Sequence, residues 1–166
     1  ERRDQPAPRQ RYPLDPGTGR YNLFEAVKIN GDLDAQVVQR ALDMIVERHE
    51  ALRTVFTSTN GTWRQVILDP KPASLEFVDL RSDGSDRALG VLQAEADKPM
   101  DVEEGPLFSS LLVRTGETEH FFLIKMHHII SDGWSLGIFW KEFASIYSAV
   151  LSGRSAELSL LPIQFG

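Results

Sequence analysis

The stretch KMHHIISDGWSLG, residues 125 to 137, sets two adjacent histidines, an aspartate, a glycine and a tryptophan close together: His127, His128, Asp132, Gly133 and Trp134. An imidazole accepts and returns a proton near neutral pH, which suits it to general acid–base work. The run before the pair, EHFFLIKMHHI, is apolar enough for a central strand. The run after it, GWSLGIFWKEFASIYSAVLSG, carries a helical apolar stripe of Leu136, Phe139, Trp140, Phe143, Ile146 and Tyr147. The histidines therefore lie at a corner where a strand gives way to a helix. Neighbouring side chains leave a strand on opposite faces, so at most one of the two faces a given cleft. Asp132 is placed to fold back and hold the loop, and Gly133 permits conformations that a Cβ forbids. The first N–H groups of the helix are placed to favour a developing oxyanion.

Other chemistries fit less well. Two histidines on opposite faces do not share one ion, and the chain has neither an HExxH helix nor a cysteine, so no metal site is expected. A Ser-His-Asp hydrolase needs a nucleophile elbow such as GxSxG, which is absent. Ser131 and Ser135 read as turn and helix-cap residues, and the isolated His49 and His120 as packing or surface residues. The corner alone leaves catalysis and a purely structural turn both open.

The elements around the corner follow from periodicity. YNLFEAVKI alternates as a half-buried strand and ends at NGD. DLDAQVVQRALDMIVERHEAL has apolar residues at helical spacing after Asp34, a plausible N-cap. LRTVFTSTNGTWRQVIL reads as a hairpin around Asn60-Gly61, a dipeptide suited to positive φ. ASLEFVDL is a short strand, SDRALGVLQAEADKP a helix capped near Ser85 and stopped before Pro99, and MDVEEGPL a connector. LFSSLLVRT and the histidine strand flank a polar turn at Gly116. The interleaving predicts an α+β fold, with a mixed, largely antiparallel sheet and helices packed on it. Residues 1–20, rich in Pro, Arg and Gly, read as an irregular segment.

Composition narrows the function. With 166 residues, 42% of them hydrophobic and 25% charged, the chain has the size and balance of one soluble globular domain. A net charge of −6 argues against nucleic-acid or anionic-membrane partners, which require a basic patch. No apolar stretch approaches the roughly 20 residues that span a bilayer. The absence of cysteine fits a cytoplasmic setting. The opening without Met and the apolar LSLLPIQFG at the end read as a piece of a longer chain.

HHIISDGWS resembles the HHxxxDG signature of condensation domains of nonribosomal peptide synthetases, the amide-forming domains of modular assembly lines. YN, RHEALRTVF, DVEEGPLF and LPIQFG resemble the family's other motifs in order, so the likeness covers about residues 12 to 166. The segment PRQRYPLDPGTGRYN departs from the pattern: it is shorter than the family's first motif and lacks its aromatic pair. The resemblance implies two lobes, each similar to a chloramphenicol acetyltransferase protomer, with the active site in a tunnel between them. Residues 21–166 would supply the N-terminal lobe, and the C-terminal lobe is absent.

It further implies that His128 is catalytic and His127 its structural neighbour. Asp132 would organise the loop through a salt bridge to Arg53, Gly133 would flank the tunnel, and Trp134 would take the usual aromatic position. Breaking a buried Asp–Arg pair costs about 3–5 kcal/mol, so Asp132→Ala is expected to damage folding as well as activity. The implied reaction joins an acceptor amine to a donor thioester, both carried on the phosphopantetheine of peptidyl carrier proteins. The lobe itself binds no cofactor, and an adenylation domain is the expected neighbour. The nine-residue signature is more similar to domains joining an L-donor to an L-acceptor than to epimerising or heterocyclising ones. Two other readings stand beside this one: a stand-alone acyltransferase of the same superfamily using coenzyme A or carrier thioesters, and a non-catalytic lobe that binds carriers.

Overall fold

The computed structural model describes residues 5–6, 19–83, 85–161 and 164. Among these residues seven strands and three helices follow one another: β1 (Gln5–Pro6), β2 (Asn22–Asn30), α1 (Ala35–Arg48), β3 (Thr54–Thr59), β4 (Thr62–Ile67), β5 (Leu75–Asp79), α2 (Ser85–Asp97), β6 (Phe108–Arg114), β7 (Glu119–His127) and α3 (Gly133–Leu151). Most of the segment 1–20 lies outside the described residues. Within it, Gln5–Pro6 pairs with β4, and Gly19–Tyr21 form a single 3₁₀ turn leading into β2.

The main sheet has the order β2-β7-β6-β5. β7 pairs antiparallel with both neighbours, whereas β5 runs parallel to β6 because α2 crosses over between them. Alternation along β6 and β7 divides the core. Phe108, Leu112, Phe122, Ile124 and Met126 face α1 and α3, while Leu111, Val113 and Leu123 face Ala88, Leu92 and Ala96 of α2. The histidine strand is thus covered on both faces, which is why its sequence is nearly continuous in apolar residues. β3 and β4 form a separate small sheet with β1 rather than extending the main one.

Local chemistry sets the element ends. The Asp34 carboxylate accepts from the backbone N–H groups of Gln36 (2.8 Å) and Val37 (3.2 Å), capping α1. Asn60 (φ 52°) and Gly61 (φ 76°) make the β3–β4 turn in the left-handed region that the dipeptide favours. At the far end of α1, Arg48 donates to both carboxylate oxygens of Glu142 on α3 at 3.2 Å, and His49 donates to one of them at 2.6 Å. His49 is therefore a half-buried tie between the helices, and Gln164 folds back on the same corner, donating to the Arg48 carbonyl at 2.9 Å.

Candidate functional site

β7 ends at His127, and the chain turns through residues 128–130 before α3 starts at Gly133. Three backbone bonds fix this corner. The His127 N–H donates to Leu107 O (2.9 Å), the His128 N–H to Tyr21 O (2.7 Å), and the Ile130 N–H to His127 O (3.0 Å). The Ser131 hydroxyl donates to His127 O at 3.1 Å from a buried position, so Ser131 is the turn residue expected.

The two imidazoles differ in surroundings and in tautomer. His127 is buried, lies 6.1 Å from the Tyr21 ring, and accepts the Ile129 N–H on Nδ1 at 3.1 Å. Its Nδ1 is therefore unprotonated. Burial, reinforced by the neighbouring His128, pushes its pKa down and keeps it neutral. His128 is exposed, and its Nδ1 lies 2.8 Å from Ser131 O. A carbonyl oxygen only accepts, so Nδ1 carries a proton, and in the neutral ring Nε2 is the nitrogen left as acceptor. The arrangement offers one proton acceptor, held at its back by the turn.

Asp132 is the N-cap of α3. Its carboxylate accepts from the Ser135 backbone N–H at 2.8 Å and the Ser135 hydroxyl at 2.7 Å, and the Asp132 N–H donates back to the Ser135 hydroxyl. The Ser135 bonds, backbone first, hold the carboxyl below its ordinary range. This corrects the expected pairing with Arg53. Arg53 instead donates to Leu68 O at 2.6 Å and lies 3.6 Å from Glu50, bracing the base of the β3–β4 hairpin. Among the described residues no ion pair joins Asp132 to Arg53. Asp132 is moreover exposed, so its loss removes a helix cap, worth about 1 kcal/mol, rather than stranding a buried charge. The carboxylate also takes the Ser135 N–H, one of the first N–H groups of the helix that were expected to favour an oxyanion.

Gly133 does not adopt a positive φ, and a Cβ built on it meets nothing within 4 Å. The backbone of this chain does not itself demand glycine there. Trp134 is 80% exposed at the first turn of α3, beside the corner. The structure thus brings His127, His128, Asp132, Gly133 and Trp134 together and leaves Arg53 elsewhere. Residue patterns missed Tyr21 as a holder of the corner, because a backbone carbonyl acceptor leaves no trace in side-chain type. Among the described residues no cluster of His, Cys, Asp or Glu could hold a metal, and no helix is long and apolar enough to cross a membrane.

A second buried histidine lies at the opposite end of β7. His120 is 3% exposed in the wall of a cavity of about 550 Å³, with Nδ1 unpartnered, and burial lowers its pKa. For His120 and His127 the folded pKa lies below the unfolded value of about 6.5. Between the two values the unfolded chain binds more protons, so their contribution is full above about pH 6.5 and is lost as pH falls. Thermal denaturation between pH 7.5 and 5 is expected to show Tm dropping on the acid side. His120→Gln is expected to shallow the drop; an unchanged slope in that variant would contradict the assignment.

The condensation domain model matches residues 11–165. The chain is 40% identical over 156 residues to one of the linear gramicidin synthase proteins of Brevibacillus parabrevis and to chondramide synthase cmdD of Chondromyces crocatus. Each match takes in 92% of this chain but only 2% and 4% of those proteins. Among solved structures, the starter condensation domain of rhizomide synthetase RzmA superposes with a TM-score of 0.81 at 24% identity, over 88% of this chain and 36% of that one. The first condensation domain of the CDA synthetase gives a TM-score of 0.77 at 25% identity, over 87% of this chain and 39% of that one. A family model that spans nearly the whole chain, together with an intact HHxxxDG corner on the matching α+β fold, shows that the chain belongs to the condensation domain family.

Proposed function

We propose that residues 21–166 are the N-terminal lobe of a condensation domain that forms an amide between two carrier-bound substrates. The observation that carries this reading is the His128 ring, exposed at the corner with Nδ1–H donated to Ser131 O and Nε2 left as acceptor. In the reaction the acceptor amine nitrogen attacks the donor thioester carbonyl, forming a C–N bond. The C–S bond then breaks, and the amine proton passes to the leaving phosphopantetheine thiolate. His128 Nε2 is placed to accept a hydrogen bond or a proton from the amine during the attack. The phosphopantetheine arrives on peptidyl carrier proteins, and the lobe contributes no cofactor of its own.

The glycine and tryptophan fit this assignment. Since neither φ nor packing within the lobe requires Gly133, the missing side chain keeps space open beside His128 for substrate. A large aromatic as exposed as Trp134 is suited to be covered by the C-terminal lobe across the tunnel. The carrier proteins, the second lobe and an adjacent adenylation domain are the partners that this role requires.

The test is a single-turnover assay on the complete two-lobe domain with loaded donor and acceptor carriers, reading dipeptidyl product by mass spectrometry. Product is expected from the complete domain and none from residues 1–166 alone, since half the tunnel is missing. Turnover by the isolated lobe would overturn the second expectation. A scaffold reading has one observation in its favour: the X-domain from teicoplanin biosynthesis, solved in complex with OxyB, superposes with a TM-score of 0.79 at 28% identity. Carrier binding without dipeptide from the complete domain would select that reading.

A further inference from the structure

Lys125 is a cation in the middle of the apolar strand that carries the histidines, and the reaction has no use for it. It is 2% exposed, and its Nζ donates to the Glu95 carbonyl (2.7 Å), the Lys98 carbonyl (3.2 Å) and the Glu95 carboxylate (2.9 Å). Glu95, itself buried, also takes the Lys98 ammonium at 2.7 Å and the Ser109 hydroxyl at 3.3 Å. Burial pushes the Glu95 carboxyl up, but the hydrogen bonds from Lys98 and Lys125 prevail and hold it below its usual range, so it stays ionised.

A second set of contacts reaches the same place from β2. Asn22 is the register partner of His127, and its Nδ2 donates to the carbonyls of Ala96 (2.9 Å) and Lys98 (2.8 Å). Gly19 packs so closely there that a Cβ would lie 2.5 Å from the Asp97 carbonyl oxygen. Between Gly19 and Asn22 stands Tyr21, whose carbonyl takes the His128 N–H and whose ring contacts His127. The carbonyls at the end of α2, its negative pole, are thus seated on Lys125, two residues before His127, and on the segment directly across from it.

Stability alone does not account for such a contact. A buried ion pair is commonly no better than the apolar residues that would fill its volume, and what it adds is a directional constraint. We infer that Lys125 and Asn22 are positioning residues, locking the end of α2 against the His127–His128 corner and thereby setting the orientation of the His128 ring. The inference rests on the reading of His128 given above.

The test uses the complete two-lobe domain with loaded carriers, comparing wild type, Lys125→Met, Lys125→Arg, Asn22→Ala and His128→Ala. Single-turnover rate constants are measured against acceptor-carrier concentration, alongside Tm and the ¹⁵N spectra of labelled histidine rings. Lys125→Met is expected to lower the rate constant at saturating carrier by about tenfold to a hundredfold, as misplacement of a reacting group does. The half-saturating carrier concentration is expected to stay unchanged, the Nδ1–H signal of His128 to give way to a mixture of tautomers, and Lys125→Arg to recover most of the rate. Should Lys125→Met not fold, Asn22→Ala carries the same test, since it removes only two hydrogen bonds to carbonyls. Lower Tm with wild-type rate constants and unaltered ring signals in these variants would overturn the inference. A wild-type rate in His128→Ala would instead remove the reading beneath it, while the ring spectra still report whether Lys125 and Asn22 orient the corner.

Discussion

His128→Ala in the complete domain is expected to cut single-turnover dipeptide formation by about tenfold or more while leaving carrier binding and folding intact. The ring is exposed, and its hydrogen bond from Nδ1 to Ser131 O is local, so truncation leaves no buried side chain stranded. On the proposed reading, what is lost is the acceptor at Nε2, whose hydrogen bond to the amine would strengthen only as charge develops on its nitrogen. An interaction of that kind lowers the rate constant rather than weakening substrate capture. His127→Ala provides the contrast. Its Nδ1 holds the Ile129 N–H inside the turn, so that variant is expected to lose about 1–3 kcal/mol of stability from the orphaned backbone group. Mass spectrometry of product together with Tm for both variants separates the two roles. Equal rates for wild type and His128→Ala would leave the corner a structural turn.

Phe122→Ala is expected to give the largest loss of stability, about 3–5 kcal/mol, against the roughly 5–15 kcal/mol that holds an ordinary domain together. Phe122 is fully buried on the central strand. Its ring lies 5.6 Å from Trp140, edge-on, and 5.1 Å from Phe143, so the truncation opens a cavity where β7 meets α3. The neighbours are themselves packed on one another, Phe139 lying 5.4 Å from Trp140 and 6.0 Å from Phe143, which restricts how far they can collapse into the gap. Denaturant titration reads the change directly. A loss below about 1 kcal/mol would mean that the aromatic cluster relaxes freely and does not hold α3 in place.

Much of this architecture was legible because it depends on local patterns. The Asp34 cap, the Asn60-Gly61 turn and the apolar histidine strand each follow from residues within a few positions of one another, and each stands in the structure as expected. His127 and His128 do differ in burial, but the strand ends at His127, so the exposure of His128 comes from its place in the turn as well as from alternation. The partner of Asp132 was not legible. An aspartate three residues before a serine at a helix start can cap that helix or reach a distant arginine, and the sequence around it is the same in either case. The capping box with Ser135 prevails here because it is satisfied within one turn. Lys125 carried a signal, a charge within FFLIKMHH, but its counterpart Glu95 lies 30 positions earlier on α2. The parallel pairing of β5 with β6 likewise depends on a crossover that strand periodicity does not encode.

The pairing of β2 with β7 has a consequence for how the domain comes into being. Asn22 meets His127 across about a hundred intervening positions, and the Tyr21 carbonyl that receives the His128 N–H belongs to the same long closure. At typical synthesis rates roughly 5–20 seconds separate the emergence of the two strands from the ribosome. During that interval β2 lacks its sheet neighbour, because among the described residues it pairs with β7 alone. Closing so long a loop also costs chain entropy that contacts between near neighbours in sequence do not. The histidine corner therefore cannot be completed before β7 has been made, and β2 has no sheet partner among the described residues until then.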